Sequence, residues 1–280
     1  MSNANIKRLT IAAVLALAST TTYAADLSVP IMPQPVEVSG WYLRGDIGFS
    51  NQNVGSLFNS NYSDYTTVTS VDKGFDAAPL FGLGIGYAFN HWLRFDATGE
   101  YRGAANFHGF DIGHVGALSA PDRYTASKSE WTFLFNGYVD LGTWYNFTPF
   151  VGAGVGTSRN TISNFGDVTV CTIPTCTTSD AYADSASQWN FAWALYAGLG
   201  YKVTKNFTVE LAYRYLDLGN AKSGDLIGYD GSNGNGYNPM EFRHLTSHDV
   251  KLGLRFNFGG DDFDRPRPVY IPPPPLNSRG

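Results

Sequence analysis

Apolar residues alternate one-for-one with polar or small residues in eight separate segments of this 280-residue chain. A period of two is the mark of an extended strand with two unlike faces. The segments are Trp41–Phe49, Phe81–Phe89, Leu93–Tyr101, Trp131–Leu141, Pro149–Thr157, Trp189–Tyr201, Phe207–Tyr215 and Val250–Phe258. In the sixth, Trp189, Phe191, Trp193, Leu195, Ala197, Leu199 and Tyr201 share one face. A helical period of 3.6 appears nowhere after the first two dozen residues. The connections alternate in length. Short turns fall at Asn90-His91, within Gly142–Phe147 and within Val203–Asn206, and four long polar stretches span 50–78, 102–129, 158–187 and 217–247. Loops of that length are uncommon in a compact soluble domain and ordinary on one side of a membrane barrel.

A soluble β-sandwich or a lipocalin shows the same alternation, so the question is which face looks inward. Four features favour lipid on the apolar side. That face carries no charged residue, and a cation there costs about 2–4 kcal/mol at a bilayer midplane. The opposite face carries Arg44, Arg94, Arg214, Lys251 and Arg255 against Asp46, Asp96, Glu100, Asp140 and Glu210. Five charges of each sign are what a crowded, low-dielectric interior requires. The remaining positions of that face are largely small, including Gly82, Gly84, Gly86, Gly152, Gly154, Gly156, Ala192, Ala194, Gly198 and Gly200, which suits a narrow interior filled by side chains. Finally, about ten residues at ~3.3 Å, tilted near 40°, span roughly the 25 Å of a barrel's apolar band. Trp41, Trp92, Tyr101, Trp131, Trp189, Tyr201 and Tyr215 stand where interfacial girdles belong. The expected fold is all-β: an eight-stranded antiparallel up-and-down transmembrane β-barrel with four long extracellular loops, both termini periplasmic.

The ends read differently. Lys7 and Arg8, the apolar run Leu9–Ala18 and Thr22-Tyr23-Ala24 form an export signal cleaved before Ala25. Ten apolar residues at ~1.5 Å each cover only half of a ~30 Å hydrocarbon core, which argues against an anchor. Cleavage leaves 17 basic and 24 acidic residues, a net charge that argues against nucleic acid as partner. The expected organisation is a signal peptide (1–24), a periplasmic segment (25–39), the barrel (40–258) and a Pro-rich periplasmic tail (259–280). The tail, with Arg265, Arg267, Arg279 and the run Pro272–Pro275, is polyproline II or disordered. It either touches an anionic cell-wall polymer or simply ends the chain.

Lys251-Leu252-Gly253-Leu254-Arg255-Phe256-Asn257-Phe258 resembles the signal read by the barrel-assembly machinery, with Lys251, Gly253, Phe256 and Phe258 as its key positions. It departs from the usual pattern in that 22 residues follow the last aromatic. The mature start Ala25-Asp26-Leu27 and the segment Gly40-Trp41-Tyr42-Leu43-Arg44-Gly45-Asp46-Ile47-Gly48 look like the small outer-membrane surface-antigen (immunogenic protein) barrels of alphaproteobacteria. The resemblance covers residues 25–258. It implies an eight-stranded monomeric barrel related in architecture to OmpA and OmpX, with roles in envelope integrity, host-surface contact and, in a few members, haem binding.

Among candidate sites, the ten lumenal charges form either a static plug of salt bridges or a gate that opens by exchanging partners. Cys171 and Cys176 fit one local disulfide in an exported protein, bracing a loop tip with or without a ligand. His108, His114, His244 and His248 are either solvated loop residues or ligands for a metal or haem iron. Ser247-His248-Asp249 are adjacent, yet alternate faces of a strand cannot form a catalytic relay. The loops, rich in Asn, Ser, Gly, Thr and Tyr as in Asp230–Tyr237, suit recognition surfaces or mobile hydrated segments. The sequence thus points to a non-enzymatic outer-membrane barrel, without cofactor or metal, that contributes to envelope integrity and surface contact. A narrow porin-like channel and surface binding of haem or a host molecule are the alternatives. The expected partners are outer-membrane lipid and lipopolysaccharide, the assembly machinery and the cell wall.

Overall fold

The computed structural model describes residues 40–116, 118–170, 180–233 and 236–258. The elements are β1 (Gly40–Phe58), a 3-10 turn (Ser60–Asp64), β2 (Thr67–Phe75), β3 (Ala78–Ala88), β4 (Leu93–Val115), β5 (Leu118–Asp140), β6 (Phe147–Thr169), β7 (Ala181–Ala183), β8 (Ala186–Lys202), β9 (Phe207–Gly228) and β10 (Pro239–Asn257). All pairings are antiparallel. Going round, β1 pairs β3, β3 pairs β4, then β5, β6, β8, β9 and β10 follow, and β10 pairs β1. Eight strands therefore form a ring with no free edge. The short strands continue their neighbours: from Asp72 to Phe75 β2 keeps the register of β3 against β4, and β7 keeps that of β8 against β6.

Following the register round the ring measures its stagger. Leu199 pairs Leu211, then Leu252, Ile47, Phe81, Tyr101, Trp131 and Arg159 in turn, and the walk returns to β8 at Trp189. The return lies ten residues from its start. For eight strands, that stagger corresponds to a strand tilt of about 40°.

One end of the ring holds the first residue of β1, the last of β10 and three tight turns. Asn90 accepts hydrogen bonds from the Trp92 and Leu93 amides. Thr204 Oγ1 does the same for Asn206 and Phe207. Tyr145 and Asn146 take positive φ values of 49° and 69° between the reciprocally bonded Trp144 and Phe147, the geometry of a type I′ hairpin. This is the turn end; the opposite is the hairpin end.

The expected long loops are largely absent. Most of 50–78, 102–129, 158–187 and 217–247 continues the strands, so β4, β5 and β6 each reach 23 residues. The strands run on because they bury a second interior, and four of them slip by one position to reach it. In β4, the inward residues are even-numbered up to Arg102 and odd-numbered from Ala105. The same exchange of faces occurs in β6 at Ser163–Asn164, in β9 at Gly219–Asn220 and in β10 at Arg243–His244. Asn164, Gly219 and His244 carry the positive φ of a bulge there, and the pairing registers shift at the same places.

Candidate functional site

The turn half of the ring is apolar outside and ionic within. Leu83 is 75% exposed and Phe49 68%, and Leu252, Leu254, Phe135 and Val151 are also exposed. Aromatic pairs stand near both ends of this belt: Trp41–Tyr87 and Phe147–Tyr201 at the turn end, Tyr101–Trp131 and Phe133–Trp189 nearer the hairpins. So large an exposed apolar surface requires a partner phase, and its height of about ten residues per strand, roughly 25 Å, matches a bilayer's apolar band.

Inside, the structure brings all ten of the expected charged residues into one network. At the turn end, Arg94 lies between the rings of Tyr138 and Phe150, 4.3 and 4.7 Å from their centroids. It pairs with Asp140 at 3.1 Å and Glu210 at 3.3 Å, and Arg255 reaches Glu210 at 3.1 Å. One level up, Arg44 bridges Asp96 (2.8 Å) and Asp46 (2.9 Å) and donates to the Tyr138 hydroxyl at 2.9 Å. Tyr42 and Asn136 donate to Asp96, and Tyr196 donates to Asn136. Lys251 then joins Asp46 to Glu100, and Arg214 joins Glu100 (2.7 Å) to Asp249 (2.6 Å).

Four members of this network lie outside the ten. Arg102 contacts Asp249 at 3.0 Å and Glu130 at 2.8 Å, and Lys128 pairs with Glu130 and donates to Gln52. They escaped the sequence reading because each falls one to three residues beyond an expected strand end. Carrying the alternation of Leu93–Tyr101 on to Arg102, that of Trp131–Leu141 back through Glu130 and Lys128, and that of Val250–Phe258 back to Asp249 would have found them. In all, seven cations meet seven anions within the ring. Burying so many ions is tolerable only where each finds an opposite charge, since desolvation costs several kcal/mol per unpaired ion. Glycine supplies the room. A Cβ on Gly86 would stand 2.2 Å from the Tyr42 ring, and one on Gly253 would meet the Asp46 carboxylate at 2.7 Å.

Above Lys128 the interior turns apolar. Phe75, Phe107, Phe165 and Phe242 pack ring against ring at 4.9–6.4 Å, with Val54, Ala105, Ile162, Leu218 and Leu245 filling the remainder. Outward positions at this level are polar, among them Asn53, Asn106, His108, Arg123 and Thr125. The side chains of both interiors are buried inside the ring.

The other expected sites fare differently. His248 faces outward with a ring nitrogen 2.6 Å from the Tyr213 hydroxyl, whereas Ser247 and Asp249 face inward. Those three residues therefore do not converge. The four histidines have separate neighbours: His108 is near Asp76, His114 bonds Ser119, and His244 occupies the β10 bulge. Of the assembly-signal positions, Lys251 and Gly253 face the network, and Phe256 and Phe258 lie outward, 5.7 Å apart. Cys171, Cys176, the signal segment, residues 25–39 and the tail 259–280 lie outside the described residues.

Comparison with known proteins agrees with this architecture. The family model described as outer membrane protein beta-barrel domain matches residues 10–258. A Brucella abortus protein is 32% identical over 84% of this chain and 92% of its own length. A Rickettsia rickettsii protein named as a candidate adhesin is 30% identical over 78% and 87%. The outer membrane protein PagN of Salmonella typhimurium is 27% identical over 78% and 90%. On the match of the family model across most of its length, the chain belongs to the outer membrane protein beta-barrel family.

Proposed function

We propose that this protein is an eight-stranded transmembrane barrel with a closed lumen, serving the outer membrane as a structural and surface-display element. In this reading, the turn half spans the bilayer and both termini are periplasmic. The hairpin half projects outside the cell, where it meets surface partners. The observation that carries the reading is the filled interior: a charge-balanced network (Arg44, Asp46, Arg94, Asp96, Glu100, Asp140, Glu210, Arg214, Lys251, Arg255 and their four added neighbours) beneath a packed aromatic layer. A water-filled path would need to part both. The name of the Rickettsia relative supports a role in surface contact.

Envelope integrity follows from the same construction, since a sealed ring adds rigid surface to the membrane without leakage. The protein acts without catalysis, as a monomer in outer-membrane lipid and lipopolysaccharide. The assembly machinery reads its last strand, the tail reaches toward the cell wall, and the Cys171–Cys176 disulfide braces the tip between β6 and β7.

Single-channel conductance of the refolded mature chain in a planar bilayer tests the closed lumen. The expected record is silent, with folding established by heat-modifiable gel migration. Discrete openings in the unmodified protein, raised further by Arg94→Glu, would replace the plug with a gate and make the protein a narrow ion channel.

A further inference from the structure

Beyond the aromatic layer, at the hairpin end, the 3-10 turn, the outer parts of β5 and β6, β7 and the β9–β10 connection enclose a cavity of about 500 Å³. Its lining resembles neither interior below it. Asp122, Asp167, Asp180 and Asp230 line it together with Tyr62, Tyr65, Tyr124 and Tyr229, and among the described residues the lining includes no Lys, Arg or His.

Most acids here already have donors. Asp111, just outside the cavity, accepts from the hydroxyls of Tyr62 at 2.6 Å and Tyr124 at 3.0 Å. Asp180 accepts from the Thr169 amide at 3.2 Å. Asp167 is different, because its Oδ1 is shut away from solvent and has no hydrogen-bond partner among the described residues. A buried carboxylate oxygen without a donor is costly, and Asp167 belongs to the lining of the cavity.

We propose that this cavity is a binding site for a small organic cation. A protonated amine would donate its N–H groups to Asp167 and Asp180 while its carbon chain lies against the tyrosine rings. Charge and shape agree on that class. Among the described residues the carboxylates carry the only formal charge of the lining, and tyrosine faces attract cations. A bare metal ion fits less well: no three His, Cys, Asp or Glu side chains among the described residues stand close enough to hold one. The proposal is independent of whether the lumen conducts.

Protonation gives the site a signature. Burial, and then the neighbouring Asp122, Asp111 and Asp180, push the Asp167 carboxyl up to about 8. The groups facing it are Asp111 on β4, Asp122 and Tyr124 on β5, Tyr62 on the 3-10 turn and Asp180 before β7; none is basic. Burial also raises Asp111 and Asp122. Near pH 6 an arriving cation must therefore displace a proton from Asp167, and above about pH 8 it need not.

The test is calorimetric titration of the refolded full-length protein, in uncharged detergent, with hexane-1,6-diamine at pH 6, 7, 8 and 9. Affinity should rise about tenfold from pH 6 to pH 7 and level off above about pH 8, as linkage to one proton requires. Hexane-1,6-diol, the uncharged analogue, should give no heat of binding. Asp167→Asn should weaken diamine binding at pH 8 by about tenfold and flatten the pH profile, with the fold checked by heat-modifiable migration. Should that variant not fold, Asp180→Asn is expected to weaken binding while keeping the wild-type pH slope. A diol that binds as well as the diamine, a pH-independent affinity, no binding at all, or displacement of the diamine by lower concentrations of calcium chloride would each overturn the proposal.

Discussion

The same strands build two regions with opposite polarity. In the turn half, β4 sends Phe95, Ala97 and Tyr101 outward and Arg94, Asp96, Glu100 and Arg102 inward; in the hairpin half it sends Asn106 and His108 outward and Ala105 and Phe107 inward. β10 repeats the exchange, with Val250 and Leu252 outside Asp249 and Lys251, then His244 outside Leu245 and Phe242. The difference teaches that these strands answer to their surroundings rather than to a single inside-out rule. Where the outer phase is lipid, the interior must take the polar side chains. Where the outer phase is water, the ring packs like an ordinary soluble core. The bulges at Gly103–Ala104, Ser163–Asn164, Gly219–Asn220 and Arg243–His244 fall near this change of solvent, shifting each strand by the one residue that exchanges its faces.

Four substitutions test how separate the two regions are. The largest effect is expected from Glu100→Gln, which takes a carboxylate from between Arg214, Lys251 and Arg102. Breaking so buried a cluster should cost about 3–5 kcal/mol, measured by urea unfolding in micelles, and lower the whole ring's transition. Next, Phe242→Ala should cost about 3 kcal/mol by opening the aromatic layer. Its signature is location: amide exchange should quicken in the hairpin half while the turn half stays protected. Equal loosening of both halves would mean that the two interiors form one cooperative unit. The smallest effects come from a matched pair on the outer surface. Leu252→Arg should cost about 2 kcal/mol where the ring meets lipid, whereas His108→Arg, above the belt, should change stability by less than about 0.5 kcal/mol. Similar costs at both positions would put the lipid boundary elsewhere.

The turn half was legible because its code is redundant. Large apolar residues alternate with polar or small ones over nine or more positions in strands such as Trp41–Phe49 and Trp189–Tyr201, and the ten expected charges meet in one network. The hairpin half was not legible, for two physical reasons. Its outward residues include many Asn, Ser, Thr and His, which read as loop composition, and its inward residues include Ala105, Ala126 and Ala221, too small to register as a face. The slips at the four bulges then break the period where a reader would try to extend it. Even so, Asn164 and His244 sit where single residues take positive φ, with Phe165 one residue after the first and Phe242 two residues before the second. Testing for a strand that restarts out of phase would have caught the continuation. The rim cavity had no such signal, because Asp122, Asp167 and Asp180 come together only once β5 pairs with β6 and β6 with β7.

The closing seam between β1 and β10 joins residues about two hundred positions apart, as in Leu43 with Phe256 and Phe49 with Val250. Until the final strand has left the ribosome, no arrangement of the first seven satisfies the backbone donors and acceptors along β1. Synthesis and folding must therefore be separated in time: the chain travels as an unclosed thread, high in contact order and exposed to aggregation on the way. Loss of even the last strand would leave the rest a sheet with two raw edges rather than a slightly smaller cylinder. Completion is all-or-none, and whether a copy is sound is settled only by its closing strand.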